Sequence, residues 1–197
     1  MAKDIEKIDL DQEEAVGQLP PAPVLLVASG NGEEEWNVTT VGMFNVFSMF
    51  PVVVGIGVKT SRNIYRLLSD SDDFTINVPP RELLEAVERC GSEAGARKNK
   101  FKEAGITPEK GRRVKSPFIK ECWLNLECKK LSSSSSKHHA EAVAKVHPGE
   151  IDIGDHTWFL GQIVHAEVWK DYDRGRSLLY WDGEYRVASE IVKGKEE

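Results

Sequence analysis

The pattern of apolar and polar positions predicts a chain built mainly of β-strands. Short apolar or β-branched runs, bounded by Gly, Pro and Asn turn signals, are typical of strands. The long run 156–169 mixes apolar residues on both faces, as barrel strands do. The predicted strands are 24–29, 36–41, 52–58, 74–78, 123–131, 156–169 and a final pair, 178–180 and 185–187, joined by a turn at Asp182-Gly183.

The strand at 123–131 alternates most regularly. Its two faces carry Leu124, Leu126 and Cys128 on one side and Asn125, Glu127 and Lys129 on the other. Such alternation predicts a half-buried strand.

Three short segments have helical spacing instead. Ser61 opens the first, which places Ile64, Leu67 and Leu68 on one face. The others cover 81–89 and 98–104, the latter ending at Gly105. Because strands and helices do not alternate in a βαβ rhythm, the pattern favours a closed or partly closed antiparallel barrel over a doubly wound sheet.

The remaining segments are predicted to be irregular. Residues 1–19 form a polar arm before a single domain over 20–197, and 42–51 is apolar but irregular. The segment 132–149 contains five consecutive serines and Lys137-His138-His139, which predicts an exposed loop.

Composition narrows the class of protein. The chain has 197 residues and a net charge of −6, which fits one acidic domain and argues against nucleic-acid binding. The longest strongly apolar run, 52–58, is too short to cross a membrane. The three cysteines, Cys90, Cys122 and Cys128, contain no C-x-x-C pair, so we expect small buried hydrophobes and no metal site. Free thiols without a signal peptide indicate a cytoplasmic location.

The junction between strand 52–58 and the following helix is the first candidate site. A helix N-terminus offers backbone N–H groups and the positive end of its dipole, and Lys59, Arg62 and the hydroxyls of Thr60 and Ser61 add polar groups there. This combination predicts an anion cradle. The same residues also fit a helix that is merely capped by Ser61, with its basic residues in solvent.

The segment 37–45 is the second candidate. It combines Asn and Thr side chains with a glycine and an apolar flank, which suits a flat heteroaromatic ligand with a few edge hydrogen bonds. A core segment whose polar side chains are satisfied internally fits the pattern too.

Together these units resemble the flavoredoxin and flavin reductase-like family, from about Pro20 to Gly183. The matching positions, in order, are Asn37, Thr40, Phe44, Ser48, Pro51, Ser61-Arg62-Asn63, Phe74, Asn77, Pro79, Cys90-Gly91, Gly95, Lys100-Phe101, Pro117, Ile119, Glu121-Cys122, Leu126-Glu127-Cys128-Lys129, Gly154-Asp155-His156, Phe159, Gly161 and Ile163. The resemblance implies an FMN-binding split β-barrel, mainly β with short helices.

It also implies where FMN binds, noncovalently and usually at a homodimer interface. The phosphate is expected on Ser61, Arg62 and Asn63, with Lys100 reaching it and Lys59 in the same cradle. The edge of the isoalloxazine is expected along Thr39, Thr40, Val41, Gly42, Met43 and Phe44, with Asn37 and Asn77 as side-chain contacts.

His156 is either a structural histidine or, by the same resemblance, a contact for nicotinamide or an electron acceptor at the open face of the flavin. No side chain is expected to be an obligatory catalyst, because the flavin itself receives the hydride.

The resemblance leaves three functions open. The first is an enzyme that uses NADH or NADPH to reduce FMN, which passes electrons to free flavin or a protein acceptor. The second is an FMN electron carrier, like flavoredoxin, that exchanges electrons with a redox protein without nicotinamide. The third is a flavin storage protein.

Overall fold

The computed structural model describes residues 7–92, 100–135, 156–171 and 174–187. Short 3₁₀ turns lie at Arg81–Leu83 and Arg174–Arg176. The helices and strands, in chain order, are α1 (Gln12–Gly17), β1 (Ala22–Pro23), β2 (Leu25–Ser29), β3 (Asn37–Val41), β4 (Phe44–Met49), β5 (Val52–Lys59), α2 (Asn63–Asp70), β6 (Asp73–Val78), α3 (Leu84–Gly91), α4 (Lys100–Ala104), β7 (Pro108–Lys110), β8 (Pro117–Ile119), β9 (Leu124–Ser135), β10 (His156–Val168), β11 (Leu178–Trp181) and β12 (Glu184–Val187).

The main sheet has seven antiparallel strands in the order β3-β2-β6-β9-β10-β5-β4. Its two edge strands, β3 and β4, are consecutive in the chain and are joined by only Gly42 and Met43. A two-residue link brings the two edges together, so the sheet must curl. The amide of Gly57 in β5 donates to the carbonyl of Met43 at 2.9 Å, which extends the pairing of β4 with β5 into the link. The predicted barrel is thus confirmed as a split barrel with a seam between β3 and β4.

Two apolar clusters lie on opposite faces of this sheet. The barrel interior contains Phe74, Ile56 and Phe159, and α2 packs Ile64, Leu67 and Leu68 against it. These are the apolar residues that the helical spacing predicted. The second cluster lies between the sheet and α3 and α4 and includes, among others, Leu26, Val38, Val87, Cys90, Phe101 and Cys122.

All three cysteines are buried and free, as predicted. Burial raises the pKa of the Cys90 thiol to about 11 and that of Cys128 to about 12. Burial likewise raises the pKa of Cys122. Because the thiolate is the reactive form, these side chains act as packing groups rather than nucleophiles.

Three sequence predictions about strands are corrected. The segment 42–51 contains the edge strand β4, in which Val46, Phe47 and Met49 are exposed. A register shift between Val46 and Ser48 interrupts the expected alternation. Ser132 to Ser135 continue β9 and pair with β10, so they are not in a loop. The rest of the predicted loop, 136–149, lies outside the described residues, as do Gly95 and Gly154-Asp155 of the matching positions.

The strand β9 is also buried on its polar face. Asn125 and Glu127 are 6% and 1% exposed, so the strand is not half-buried as predicted. The Glu127 carboxylate accepts hydrogen bonds from the backbone amides of Arg112 (2.8 Å) and Arg113 (2.6 Å). The burial of this carboxylate is tolerated because it accepts hydrogen bonds from backbone amides of the covering loop. Without it, these amides would be left without a partner.

Asp73, in β6, forms hydrogen bonds with the same loop, which connects β7 and β8. Its carboxylate accepts from the amides of Lys115 and Ser116 and from the Ser116 hydroxyl, and it pairs with Lys129 at 3.2 Å. Burial raises the pKa of Asp73, but the hydrogen bonds from Ser116, the Lys115 amide and Lys129 together outweigh it and hold the pKa below its ordinary value. The loop between β7 and β8 is therefore fixed on two interior carboxylates.

The predicted final hairpin is confirmed. Strands β11 and β12 pair around Asp182 and Gly183, both of which adopt positive φ. Among the described residues, no helix is both long and apolar enough to cross a membrane. Within those same ranges, no group of His, Cys, Asp and Glu side chains is arranged to hold a metal ion.

Candidate functional site

A cavity of about 120 Å³ lies at the barrel seam, where the chain passes from β3 to β4. It brings the two candidate segments of the sequence together. Its walls are Thr39, Thr40, Val41, Gly42, Met43, Gly57, Val58, Lys59, Arg62 and His156. Thus one wall is the hydroxyl- and glycine-bearing end of β3, and the other is the basic end of β5.

The threonine hydroxyls of the first wall are directed toward α3. Thr40 Oγ1 donates to the Val87 carbonyl at 2.5 Å, and Thr39 Oγ1 lies 3.4 Å from the Cys90 carbonyl. The two side chains attach the pocket wall to the C-terminal turn of α3. Each hydroxyl oxygen retains lone pairs that can accept a hydrogen bond.

Met43 and Gly57 form the floor between the two walls. A Cβ atom added at Gly57 would lie 2.9 Å from Met43 Cβ and 3.2 Å from Met43 Sδ. The methionine therefore lies flat on the backbone of β5, which only glycine permits. Gly57 was not among the predicted site residues, although glycines in the 52–58 strand signal a close approach to its backbone.

Two cations converge on the end of α3 beside the cavity. Arg62 Nη1 donates to the Gly91 carbonyl at 2.7 Å, and Lys100 Nζ donates to the Cys90 carbonyl at 3.0 Å. A helix C-terminus presents carbonyls and the negative end of the dipole, which suits both cations. Burial lowers the pKa of Lys100, and Arg62 contributes to the lowering. Because the two cations donate to the carbonyls of adjacent residues, their positive charges lie near each other.

The N-terminal end of α2 lies at the same place. Arg62, not Ser61, is the N-cap residue, and its side chain makes no capping hydrogen bond. The reading in which Ser61 caps the helix is therefore corrected. The first turn of α2 contains no acidic residue. Ser61 and Asn63 flank Arg62 in the chain, outside the cavity wall, and both are exposed.

His156 reaches the cavity from the first residue of β10. It is the antiparallel partner of Lys59 in β5, so an imidazole and an ammonium group stand side by side at the basic wall. Among the described residues, no aspartate or glutamate lines this cavity. The site therefore suits an anionic ligand.

Besides Ser61, Asn63 and Lys100, which do not line the cavity, three more of the predicted residues lie away from its wall. Asn77 is completely buried: its amide donates to the Leu26 carbonyl and Thr75, and its oxygen accepts from Ile119 and Asn125. Its prediction as a ligand contact is corrected, because all of these bonds lie inside the fold. The Asn37 oxygen accepts from the Val38 amide at the far end of β3. Phe44 packs against the barrel interior.

An exposed apolar surface adjoins the cavity along β4 and the turn that follows it. Phe47 is 53% exposed and Phe50 is 95% exposed. The Phe47 ring meets Trp158 of β10 edge to face at 6.1 Å. We call Val46, Phe47, Met49, Phe50 and Val52 the β4 patch.

Comparisons with known proteins identify the family of this chain and two of its relatives. The model of the flavin reductase like domain matches residues 18–189. An uncharacterised protein of Archaeoglobus fulgidus is 34% identical over 148 residues, which is 75% of this chain and 73% of that protein. A protein of Pyrococcus abyssi is 33% identical and covers 74% of this chain and 73% of its own length.

Solved structures share the fold at low sequence identity. The flavoredoxin of Desulfovibrio vulgaris has a TM-score of 0.72 and 19% identity, covering 98% of this chain and 97% of its own. A split-barrel protein of Shewanella frigidimarina has a TM-score of 0.75 and 15% identity, covering 95% and 94%. An NADH:FAD oxidoreductase of Streptomyces globisporus has a TM-score of 0.65 and 20% identity, covering 100% and 98%.

Proposed function

The chain belongs to the flavin reductase-like family, and from that membership we propose that it binds FMN noncovalently and is an NAD(P)H-dependent flavin reductase. Electrons pass from the nicotinamide through FMN to free flavin or another acceptor. The observation that carries this proposal is the seam cavity, in which an uncharged strand end faces Lys59, Arg62 and His156.

The phosphate of FMN is assigned to the basic wall. Arg62 uses one guanidinium nitrogen on the Gly91 carbonyl, and its other donors are available for phosphate oxygens. Ser61 and Asn63 flank it at the start of α2, and Lys100 is held next to it by the end of α3. Arginine and hydroxyl donors at a helix N-terminus are a suitable environment for a phosphate dianion.

The isoalloxazine ring is assigned to the wall from Thr39 to Met43. The threonine oxygens and the backbone near Gly42 offer polar groups to the edge of the ring, and Met43 offers a polarisable apolar face. The chemistry of the two walls supports this assignment, because a flavin presents an anion at one end and a flat heteroaromatic ring at the other.

The described part of one chain does not enclose FMN. The cavity of about 120 Å³ is smaller than the roughly 300–1,000 Å³ of typical small-molecule sites. We therefore propose that a second copy of the chain packs on the β4 patch and completes the pocket. Exposed phenylalanines beside an open cavity support this, since contiguous apolar surface commonly marks an interface.

The protein contributes binding and positioning, while bound FMN supplies the hydride-accepting chemistry. Arg62 and Lys100 fix the phosphate end, and the seam wall orients the ring. His156 and Lys59 stand at the basic wall, where they attract the phosphates of a nicotinamide nucleotide or an anionic acceptor. None of these side chains has to transfer a proton for electrons to pass.

An FMN electron carrier without nicotinamide turnover is the second candidate. The similarity to the Desulfovibrio vulgaris flavoredoxin along almost the whole of both chains favours it. In that case the acceptor is a redox protein rather than free flavin.

Anaerobic reduction of the FMN-loaded protein distinguishes these functions. We expect purified chain mixed with FMN to bind it, and NADH or NADPH to bleach the oxidised flavin absorbance in the absence of dioxygen. Parallel titrations with FAD test the choice of flavin. Bound FMN that dithionite bleaches but neither nicotinamide does would support the carrier. If the bound FMN also exchanges no electrons with a redox protein, the result would support a storage function.

A further inference from the structure

We propose that Met43 is a peroxide-sensitive modification site that controls the loading of flavin. Oxidation of its thioether to the sulfoxide in the flavin-free chain closes the seam cavity to the ring. The inference rests on the proposed function, because it assumes that the cavity is the flavin site.

The position of Met43 exposes it to a small oxidant. The residue is 41% exposed and forms part of the cavity wall. Exposure and contact with solvent are what make a methionine susceptible to oxidation. The three cysteines do not compete with Met43 for the oxidant, because all three are fully buried and burial raises their pKa values.

The surroundings of the sulfur decide what an added oxygen does. Met43 Sδ lies against the Gly57 backbone, 3.2 Å from the point where a Cβ would stand. The backbone of Met43 is held there because its carbonyl accepts the Gly57 amide at 2.9 Å. The strand side therefore has no room for an oxygen atom, so the sulfoxide oxygen projects toward the side shared by the cavity and solvent, or displaces the side chain in that direction.

Either outcome opposes flavin binding. The cavity is small, and the face that Met43 offers to the ring is its apolar side. A sulfoxide is polar, so covering it with an aromatic ring removes its hydration without supplying a donor. Methionine sulfoxide formation is known in general to disrupt apolar contacts in this way.

The chemistry balances with hydrogen peroxide as the oxidant. The sulfur lone pair attacks one peroxide oxygen, an S–O bond forms, the O–O bond breaks, and water leaves. Sulfur loses two electrons and the peroxide gains them. Peroxide arises wherever reduced flavin released by such a protein passes two electrons and two protons to dioxygen. Methionine sulfoxide reductases restore the thioether, so the modification is reversible.

The test treats flavin-free chain with hydrogen peroxide and measures two quantities. Peptide mass spectrometry reports the oxidation of Met43 and Met49 separately, and FMN titration reports the affinity. We expect oxidation to weaken FMN binding about tenfold or more. We also expect prior FMN loading to protect Met43, and a methionine sulfoxide reductase to restore binding.

Two variants show which methionine is responsible for the loss of FMN binding. Met49→Leu removes the other exposed methionine of the described residues and should remain as sensitive as wild type, whereas Met43→Leu should bind FMN equally before and after peroxide. Unchanged affinity in fully oxidised wild type, or continued loss of binding in Met43→Leu, would overturn the inference while leaving the flavin site intact. A wild-type chain that binds no FMN before treatment would overturn the proposed function and this inference together.

Discussion

Arg62→Ala is expected to weaken FMN binding by roughly 10- to 150-fold, since a hydrogen bond to a charged group contributes about 1.5–3 kcal/mol. The guanidinium lies at the N-terminal end of α2 and lines the seam cavity. Removing it leaves the phosphate with Lys59, Lys100 and the polar side chains of Ser61 and Asn63. Titration of FMN, followed by quenching of its fluorescence, measures the change.

Arg66→Ala is the matched control for this variant. Arg66 lies on the same helix, carries the same charge and is mostly exposed in a pair with Asp70 at 3.5 Å. Its loss should leave FMN affinity nearly unchanged. Because Arg62 also donates to the Gly91 carbonyl, unfolding must be measured for both variants, and Arg62→Lys separates charge from the two-pronged geometry. If wild type and a folded Arg62→Ala variant bind FMN with equal affinity, the phosphate does not bind at Arg62.

Gly161→Ala is expected to destabilise the barrel by about 1–3 kcal/mol, the usual cost of overpacking a core. A Cβ at this position of β10 would lie 2.6 Å from Phe74 Cζ and 3.0 Å from Cys128 Cβ. Phe74 is completely buried, so its ring cannot move aside without displacing neighbours. The free energy of unfolding, measured with urea, reports the loss.

Two further variants test that explanation. Gly32→Ala has open space around the new methyl group and should be neutral. Combining Gly161→Ala with Phe74→Leu removes the ring atoms in the way, so the double variant should lose less stability than the sum of the single variants. Strict additivity would show that the cost has another origin.

The local features of this fold follow closely from sequence pattern. The helix α2 buries the three residues that its spacing predicts, because an amphipathic face needs only a core to pack on. The hairpin around Asp182-Gly183 follows from turn chemistry that tolerates positive φ. Strands near the seam were harder to predict, since β4 is an edge strand whose apolar face remains exposed in a single chain.

Long-range contacts account for the errors. Glu127 and Asn125 alternate like solvent-facing residues, but the loop held by Asp73 and Glu127 covers them. Asn77 has the position of a family motif, although its amide completes a buried network. Neither arrangement can be predicted from periodicity, because each depends on backbone donors distant in the chain.

The two candidate segments of the site were predicted separately, and only the curl of the sheet brings them together. Val41 and Lys59 both line the cavity because β3 and β4 occupy opposite edges of one sheet and still adjoin. Gly57 was missing from the predicted set because its importance depends on Met43 lying across it. The residue types indicated the chemistry of each segment, whereas the contact between the two segments depends on the topology of the sheet.

A crystal structure of the chain with FMN tests the central claim most directly. We expect the phosphate within hydrogen-bonding distance of the Arg62 guanidinium and the ring along Thr39 to Met43, with a second copy closing the pocket over the β4 patch. FMN bound at another place, with its phosphate away from Arg62 and its ring away from the seam, would contradict this account.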